Sequence, residues 1–398
     1  MAESSQLRVQ SLQISDIGCF EKIDLQFSSG FNLICGANGV GKSTILSIIA
    51  RAFSHHPSQL RRRALSSTPG NWAASFLLGQ SPIKASGLSE GLMPNQNDVP
   101  QSLLVNEGRS LFYFKADRDF FYSQLQAISR DPSVGIGEFS QAAITGIGQN
   151  DLKRWLANRF LFAVHQGSLS DIELANFEFA KRCFSILDPR VEFSSVEAAT
   201  FDVFVNNPQG RVPFEYLSSG FRAALAMLLG IIREIEVRRL EMLAREFDGV
   251  ILIDELDLHL HPTWQRLIVR ALKDAFPRTQ FIVTTHSPHM IQNAERGEVI
   301  ALINDDEGNP RVANFELSEF GFKGWTIEEI LQDVMGLWDV ASDEYRVAME
   351  KFDFALSRND AKEIKIWLDK LEAMLHPRNH LRKLLRLQAA PFEEGGND

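Results

Sequence analysis

Residues 36–44 read GANGVGKST, which fits the phosphate-binding pattern G-x-x-x-x-G-K-[ST] with Gly36, Gly41, Lys42 and Ser43 in register. Before it lies FNLIC (31–35), an apolar run of strand type, and after it STILSIIARAF (43–53), apolar at helical spacing. Strand, glycine loop and helix form the local context that the pattern requires. Glycine at 36, 39 and 41 lets the backbone fold tightly and aim its N–H groups at a polyphosphate, and Asn38 and Thr44 complete the binding set. The helix start adds partial positive charge. In such a loop Lys42 reaches the β- and γ-phosphates and the Ser43 hydroxyl holds Mg²⁺. The stretch implies a bound nucleoside triphosphate.

Three further segments carry matching chemistry. In DGVILIDELDLHLHP (248–262) the run Val250–Ile253 reads as a buried strand ending in Asp254 and Glu255. Nucleotide-binding sheets hold their ligands at the carboxyl ends of strands, where this acidic pair falls. Asp254 is positioned to hold Mg²⁺, directly or through water, and Glu255 to orient or deprotonate an attacking water. FIVTTHSPHMI (281–291) is another apolar strand, ending in a polar turn with His286, which can donate a hydrogen bond to a γ-phosphate; His289 is read as structural. In YLSSGFRAALAMLLGII (216–232), Leu217, Ser218, Ser219 and Gly220 precede a long apolar helix and present its first N–H groups to an anion. Taken alone, that segment is an ordinary N-cap.

Together these segments resemble the ABC ATPase family: phosphate loop, LSSG signature, acidic strand and switch histidine. The resemblance implies an α/β fold, a P-loop NTPase head with a mixed sheet and a helical lobe that carries the signature. It also implies ATP and Mg²⁺ as cofactors, and two protomers sandwiching two ATP molecules head to tail. Ser218, Ser219 and Gly220 would then serve the nucleotide of the opposite protomer. DELDLHLHP resembles the DEPxxHLHP of the OLD, RecF and SMC-like ATPases, with Leu256 where proline is usual. The opening of those proteins is similar to residues 12–46 here. By the same resemblance Asp257 falls in the loop that crosses the dimer interface. His259 and His261 alternate like a metal pair, but without a third ligand they read as polar residues of an extended loop. For the glutamine that links Mg²⁺ to lobe movement, Gln80, Gln96 and Gln101 are candidates, and Arg118 resembles a charged residue these ATPases place after a core strand.

Several classes are excluded. The stretch from Thr44 to Tyr216 is too short for the long coiled coil of chromosome-organising SMC proteins, and no sustained heptads appear. There is no C-x-x-C for a zinc hook, and no apolar run of about 18 residues to cross a membrane. The start MAESSQLRVQ lacks a signal-peptide pattern, and Cys19, Cys35 and Cys183 read as reduced thiols, so a cytoplasmic location is expected. A net charge of −10 argues against indiscriminate DNA binding. Local basic patches remain at Arg61–Arg63 and at Arg382, Lys383 and Arg386, for both of which a solvated helix face is the favoured reading.

The anchors divide the chain into an N-terminal part of the ATPase lobe (1–118), a helical signature lobe (119–247), the remainder of the ATPase lobe (248–324), a C-terminal helical segment (325–390) and an acidic tail (391–398). Within these, one strand is expected at 73–79, a hairpin over 191–217, a helix over 219–247 and a second hairpin turning at Asp305–Gly308. From Trp325 onward WTIEEILQDVMGLW, a stretch over 343–375 and NHLRKLLRLQ read as three helical pieces. This ending lacks the strands and acidic cluster of the TOPRIM nuclease domain that OLD nucleases carry. It is similar to the ending of PtuA-type ATPases of Septu anti-phage systems and of some retrons, in which a separate protein, often an HNH nuclease, cuts. The resemblance therefore implies a sensor and regulator that works with an effector. A RecF-like clamp that grips DNA directly, and a scaffold that holds ATP and barely hydrolyses it, are the two other readings.

Overall fold

The structure is a computed structural model that describes residues 6–56, 60–93, 99–116, 122, 124–128, 134–148, 151–337 and 342–393. Gln96 and Arg118 lie outside the described residues. Alternating apolar and polar residues in RVQSLQISDI and FEKIDLQ give half-buried antiparallel strands, β1 (Leu7–Ile17) and β2 (Phe20–Gln26). The apolar FNLIC becomes β3 (Phe31–Gly36), buried throughout, and α1 (Lys42–Arg51) follows the glycine loop. Next come β4 (Gly70–Leu78), β5 (Ser81–Ser89) and β6 (Val99–Ser102), where the sequence suggested one strand. The small and polar residues of SPIKASGLS disguise β5, which pairs with β4 from Leu78↔Ser81 to Gly70↔Ser89. These strands form an antiparallel sheet in the order β2-β1-β4-β5-β6.

The chain continues through β7 (Leu111–Phe114), α2 (Ile136–Thr145), α3 (Leu152–Ala163) and α4 (Asp171–Leu187). The expected hairpin over 191–217 is a separate three-stranded sheet of β8 (Glu192–Val196), β9 (Val203–Asn207) and β10 (Gly210–Pro213). Helix α5 (Ser219–Val237) stops well before 247, because the chain turns at Arg239 and Glu241, whose φ angles are 50° and 48°. Then follow β11 (Val250–Ile253), α6 (Pro262–Ala275), β12 (Gln280–Thr284), α7 (Pro288–Asn293), β13 (Val299–Asn304) and β14 (Pro310–Val312). The central sheet runs β14-β13-β3-β12-β11-β7, parallel from β13 to β7 and antiparallel at β14.

Strand periodicity splits the central sheet between two cores. Ile34, Val250, Leu252 and Ile282 pack with α1 and the antiparallel sheet. Their neighbours Leu33, Ile251, Ile253 and Val283 face the core shared with α3, α4, α5 and α6. The parallel run brings the carboxyl ends of β3, β12 and β11 side by side, and that edge is where the site forms.

The chain divides into two compact units, Met1–Gly336 and Leu337–Asp398. The expected start of the C-terminal segment at Trp325 precedes this division. Trp325 stacks edge-on with Phe315 and Phe322, and a short α8 (Ile327–Glu329) runs into a π-helical turn whose Ile330 and Val334 enter the larger core. In the second unit, α9 (Asp343–Ser357), α10 (Ala361–Met374) and α11 (Leu381–Glu393) bury Phe352, Ile364, Leu368, Leu371 and Leu385. The stretch over 343–375 breaks in two at Asn359, with φ of 54°, after which Asp360 caps α10. α11 carries helix into the expected tail as far as Glu393.

Candidate functional site

Loop 36–41 closes around its own lysine. Lys42 Nζ donates to the carbonyls of Gly36 (2.9 Å) and Ala37 (2.8 Å), which holds the ammonium at the centre of the loop. Glycine is required at two positions for different reasons. At Gly36 a Cβ would lie 2.3 Å from the Leu302 carbonyl oxygen, and at Gly41, where φ is 94°, a Cβ would lie 2.3 Å from the Phe20 ring. Asn38 and Gly39 are exposed on the outer side of the loop, and Ser43 and Thr44 begin α1 beneath it.

A chain of short hydrogen bonds connects this loop to the two neighbouring strands. Ser43 Oγ donates to Asp254 Oδ1 at 3.0 Å, and Thr284 Oγ1 donates to the same oxygen at 2.6 Å. The Thr284 hydroxyl also accepts from the Glu255 backbone N–H at 2.7 Å. Glu255 has a φ of 50°, so the chain turns sharply just after β11. One residue past the end of β12, Thr285 Oγ1 donates to Asp257 Oδ1 at 2.6 Å, and the His286 N–H donates to that oxygen at 3.0 Å. Asp257, expected in an interface loop, is thus also tied to the turn that presents His286. The two threonines are the parts that sequence reading passed over: they appeared as a small polar turn, and only pairing in the parallel sheet reveals that each clamps one acid.

Electrostatics tie the same groups together. Burial lowers the Lys42 ammonium from its ordinary value, against the pull of Asp254, Asp257 and Glu255. Burial and then Lys42 lower His286, which is therefore a neutral imidazole at neutral pH, with one N–H to donate. Burial pushes the Cys35 thiol behind the loop up to about 12, and Cys35 and Cys183 are both buried free thiols.

Beside the loop lies a cleft of about 540 Å³ lined by Ser43, Thr44, Ser47, Arg61, Tyr113 and Lys115. Lys115 leaves the end of β7 and lines this cleft together with Ser43 and Thr44 of α1. Gln80 sits in the β4–β5 turn and Gln101 in β6. Arg61 belongs to this cleft, and Arg63 pairs with Glu21. Arg382 and Arg386 both pair with Glu372, so these arginines are already engaged within the chain.

The signature residues occupy a different cleft, of about 660 Å³, with Ser218, Ser219, Gly220, His259, His261 and Trp264 in its walls. Ser218 caps α5 by accepting from Phe221 N, and Ser218 and Ser219 are exposed. His259 and His261 belong to no metal-holding group of three or more His, Cys, Asp or Glu among the described residues.

The residues fit ATP with Mg²⁺. Ser43 Oγ and Asp254 Oδ1 form a compact pair of hard oxygens suited to that ion. Gly36 and Gly41 let the loop close against Leu302 and Phe20, and the Lys42 ammonium is already at its centre.

Residues 31–291 match the family described as "AAA domain, putative AbiEii toxin, Type IV TA system". The Septu protein PtuA of Bacillus thuringiensis is 39% identical over 390 residues, covering 97% of this chain and 98% of that one. The chain belongs to the PtuA-like ATPase family. The retron Ec83 probable ATPase of Escherichia coli is 24% identical over 393 residues, covering 76% of this chain and 72% of its own. Among solved structures, the SMC head domain from Thermotoga maritima matches with a TM-score of 0.47 and 16% identity, covering 78% of this chain and 100% of that one. The PtuA-like chain is an α/β ATPase head with helices appended at its C-terminus. Among its described residues no helix is long and apolar enough to cross a membrane.

Proposed function

We propose that this PtuA-like chain binds and hydrolyses ATP with Mg²⁺ and acts as the sensor and regulator of a separate effector, a nuclease, in cytoplasmic anti-phage defence. The observation that carries the ATPase reading is the hydrogen-bonded run Ser43–Asp254–Thr284–Glu255 beside Lys42.

Each residue has one task. Gly36, Asn38, Gly39 and Gly41 shape the loop, Lys42 binds the β- and γ-phosphates, and Thr44 supports the helix start. Ser43 and Asp254 would hold Mg²⁺, which neutralises phosphate charge and aligns the phosphoryl group for in-line attack. Glu255 takes the proton of the attacking water, from a backbone position fixed by Thr284. His286, neutral, donates its N–H to the γ-phosphate as charge develops there.

Ser218, Ser219 and Gly220 line a cleft separate from that of their own phosphate loop, which favours their use on the nucleotide of a second, head-to-tail protomer. A partner pressing on the 257–261 loop would pull on Asp257 and, through its bond to the His286 N–H, on the γ-phosphate contact. Contacts to the γ-phosphate exist only with ATP, so ATP biases the closed dimer and ADP does not. The C-terminal unit exposes Phe354, Ile366, Leu384 and Leu387, apolar side chains that could contribute to docking the effector.

The test is phosphate release by the full chain, wild type against Glu255→Gln, with mass by light scattering. Loss of turnover in the variant, together with an ATP-dependent doubling of its mass, is expected. Turnover indifferent to the substitution would instead leave a nucleotide-holding scaffold. Purification from the native locus then asks whether a stoichiometric nuclease accompanies the chain, or DNA does.

A further inference from the structure

Just before the signature serine the chain carries a buried acid. Glu215 sits in the single helical turn Phe214–Tyr216 that joins β10 to α5, and its side chain is only 2% exposed. Lys153 of α3 meets it there: Nζ lies 2.8 Å from Glu215 Oε1 and 2.6 Å from Asp202 Oδ1, at the entry to β9. The Tyr122 ring covers the ammonium, its centroid 4.3 Å from Nζ. One lysine thus joins α3, the three-stranded sheet and the turn that leads into α5.

Glu215 is held by its backbone as well. Its carbonyl accepts from Arg222 Nη1, one turn into α5, at 2.5 Å. Around it, anchored and exposed residues are interleaved. Phe214 and Leu217 are buried, whereas Tyr216, Ser218 and Ser219 are exposed. The exposed serines therefore take their direction from the anchors at 214, 215 and 217. Apolar burial at two of these is non-directional, and the ion pair at Glu215 is the contact with a defined geometry.

We propose that Lys153 is a positioning residue for ATP hydrolysis: through Glu215 it fixes the turn that presents Ser218, Ser219 and Gly220 to the nucleotide of the second protomer. This role rests on the head-to-tail use of the signature cleft. Well-packed apolar residues often match a buried ion pair in stability, so what the pair adds at this turn is direction. Lys153 lines neither the phosphate-loop cleft nor the signature cleft. Its loss acts on closure and turnover, not on the capture of ATP by its own protomer.

The experiment uses the full chain as Lys153→Met and as the double variant Lys153→Met, Glu215→Met. Binding of N-methylanthraniloyl-ATP and phosphate release are measured for each, and ATP-dependent mass is measured by light scattering in a Glu255→Gln background. Both variants are expected to bind the nucleotide within roughly twofold of wild type, while kcat falls roughly tenfold to a hundredfold and the ATP-dependent dimer weakens. In Lys153→Met the Glu215 carboxyl, already raised by burial and no longer opposed by the lysine, takes up a proton. The double variant guards against misfolding, because an apolar pair restores the melting temperature while turnover stays low. Turnover that recovers together with melting temperature would make the lysine a support of the fold alone and overturn the proposal. Wild-type turnover in Lys153→Met would overturn it too, as would a loss of nucleotide affinity large enough to account for the lost turnover. Ser218→Arg, which obstructs the signature contact directly, separates the two levels. Wild-type turnover in Ser218→Arg would overturn the head-to-tail reading and the lysine's role with it. Lost turnover there beside wild-type turnover in Lys153→Met would overturn the lysine's role alone.

Discussion

Removing the Thr284 hydroxyl tests how the acidic pair is held. Thr284→Val keeps the branched shape that suits β12 and leaves the fully buried position filled, so packing changes little. It deletes two bonds at once: the 2.6 Å donation to Asp254 and the 2.7 Å acceptance from the Glu255 N–H. A hydrogen bond to a charged group contributes about 1.5–3 kcal/mol, and an orphaned buried amide costs about 1–3 kcal/mol. Part of each is recovered by relaxation, so a net destabilisation of about 2–4 kcal/mol is expected. Catalysis should lose more than stability implies, because Asp254 and Glu255 both lose their anchor, and turnover should fall by roughly tenfold to a hundredfold. Two measurements check this: phosphate release, and hydrogen–deuterium exchange of the Glu255 amide, which should open to solvent. Thr284→Ser, which retains the hydroxyl, should stay within roughly threefold of wild type. Wild-type turnover in Thr284→Val with unchanged exchange at Glu255 would refute the view that β12 holds the catalytic acids.

Three further outcomes follow from the same geometry. Lys115→Ala should leave the fold intact, and its ATPase rate at fixed low ATP should drop roughly tenfold, as expected for losing one charge-assisted contact from the cleft beside Ser43 and Thr44. His286 has a folded pKa below its unfolded value, so its neutral form contributes stability that is present above about pH 6.5 and is lost as pH falls through the folded pKa. Glu236, raised to about 7, acts oppositely, its stabilisation fading as pH rises from about 4.5 to 7. The difference in melting temperature between wild type and His286→Asn, recorded from pH 5 to 8, isolates the histidine and should narrow toward low pH. In the C-terminal unit, Phe352→Ala empties the centre of the α9–α11 core and should cost about 3–5 kcal/mol, seen as early loss of exchange protection in residues 343–393.

What the sequence made legible follows from how local each signal is. The loop 36–44 and the strands 31–35 and 250–253 declare themselves because glycine spacing and unbroken apolar runs are properties of neighbours along the chain. β5 stayed hidden because Ser, Gly and Lys pair through their backbone, and the partner that makes them a strand is β4. The early end of α5 was invisible for a related reason. Arg239 and Glu241 adopt positive φ without glycine, a conformation set by surrounding packing and not by residue type. At the site the same division holds. Lys42, Ser43, Asp254, Glu255 and His286 could be named from motifs, yet the parts joining them could not. Thr284 and Thr285 lie some thirty residues beyond the acids they clamp, and Lys115, at the end of β7, lines the cleft beside Ser43 and Thr44 from a strand that pairs with β11. A motif names the groups proposed to meet the nucleotide, while the groups that hold them in register come from across the sheet. The threonine pair at the end of β12 gives that distinction a mechanical meaning. Thr284 fixes Asp254, the partner of Ser43, and Thr285 fixes Asp257, so a one-residue displacement of this strand end would disturb both clamps together.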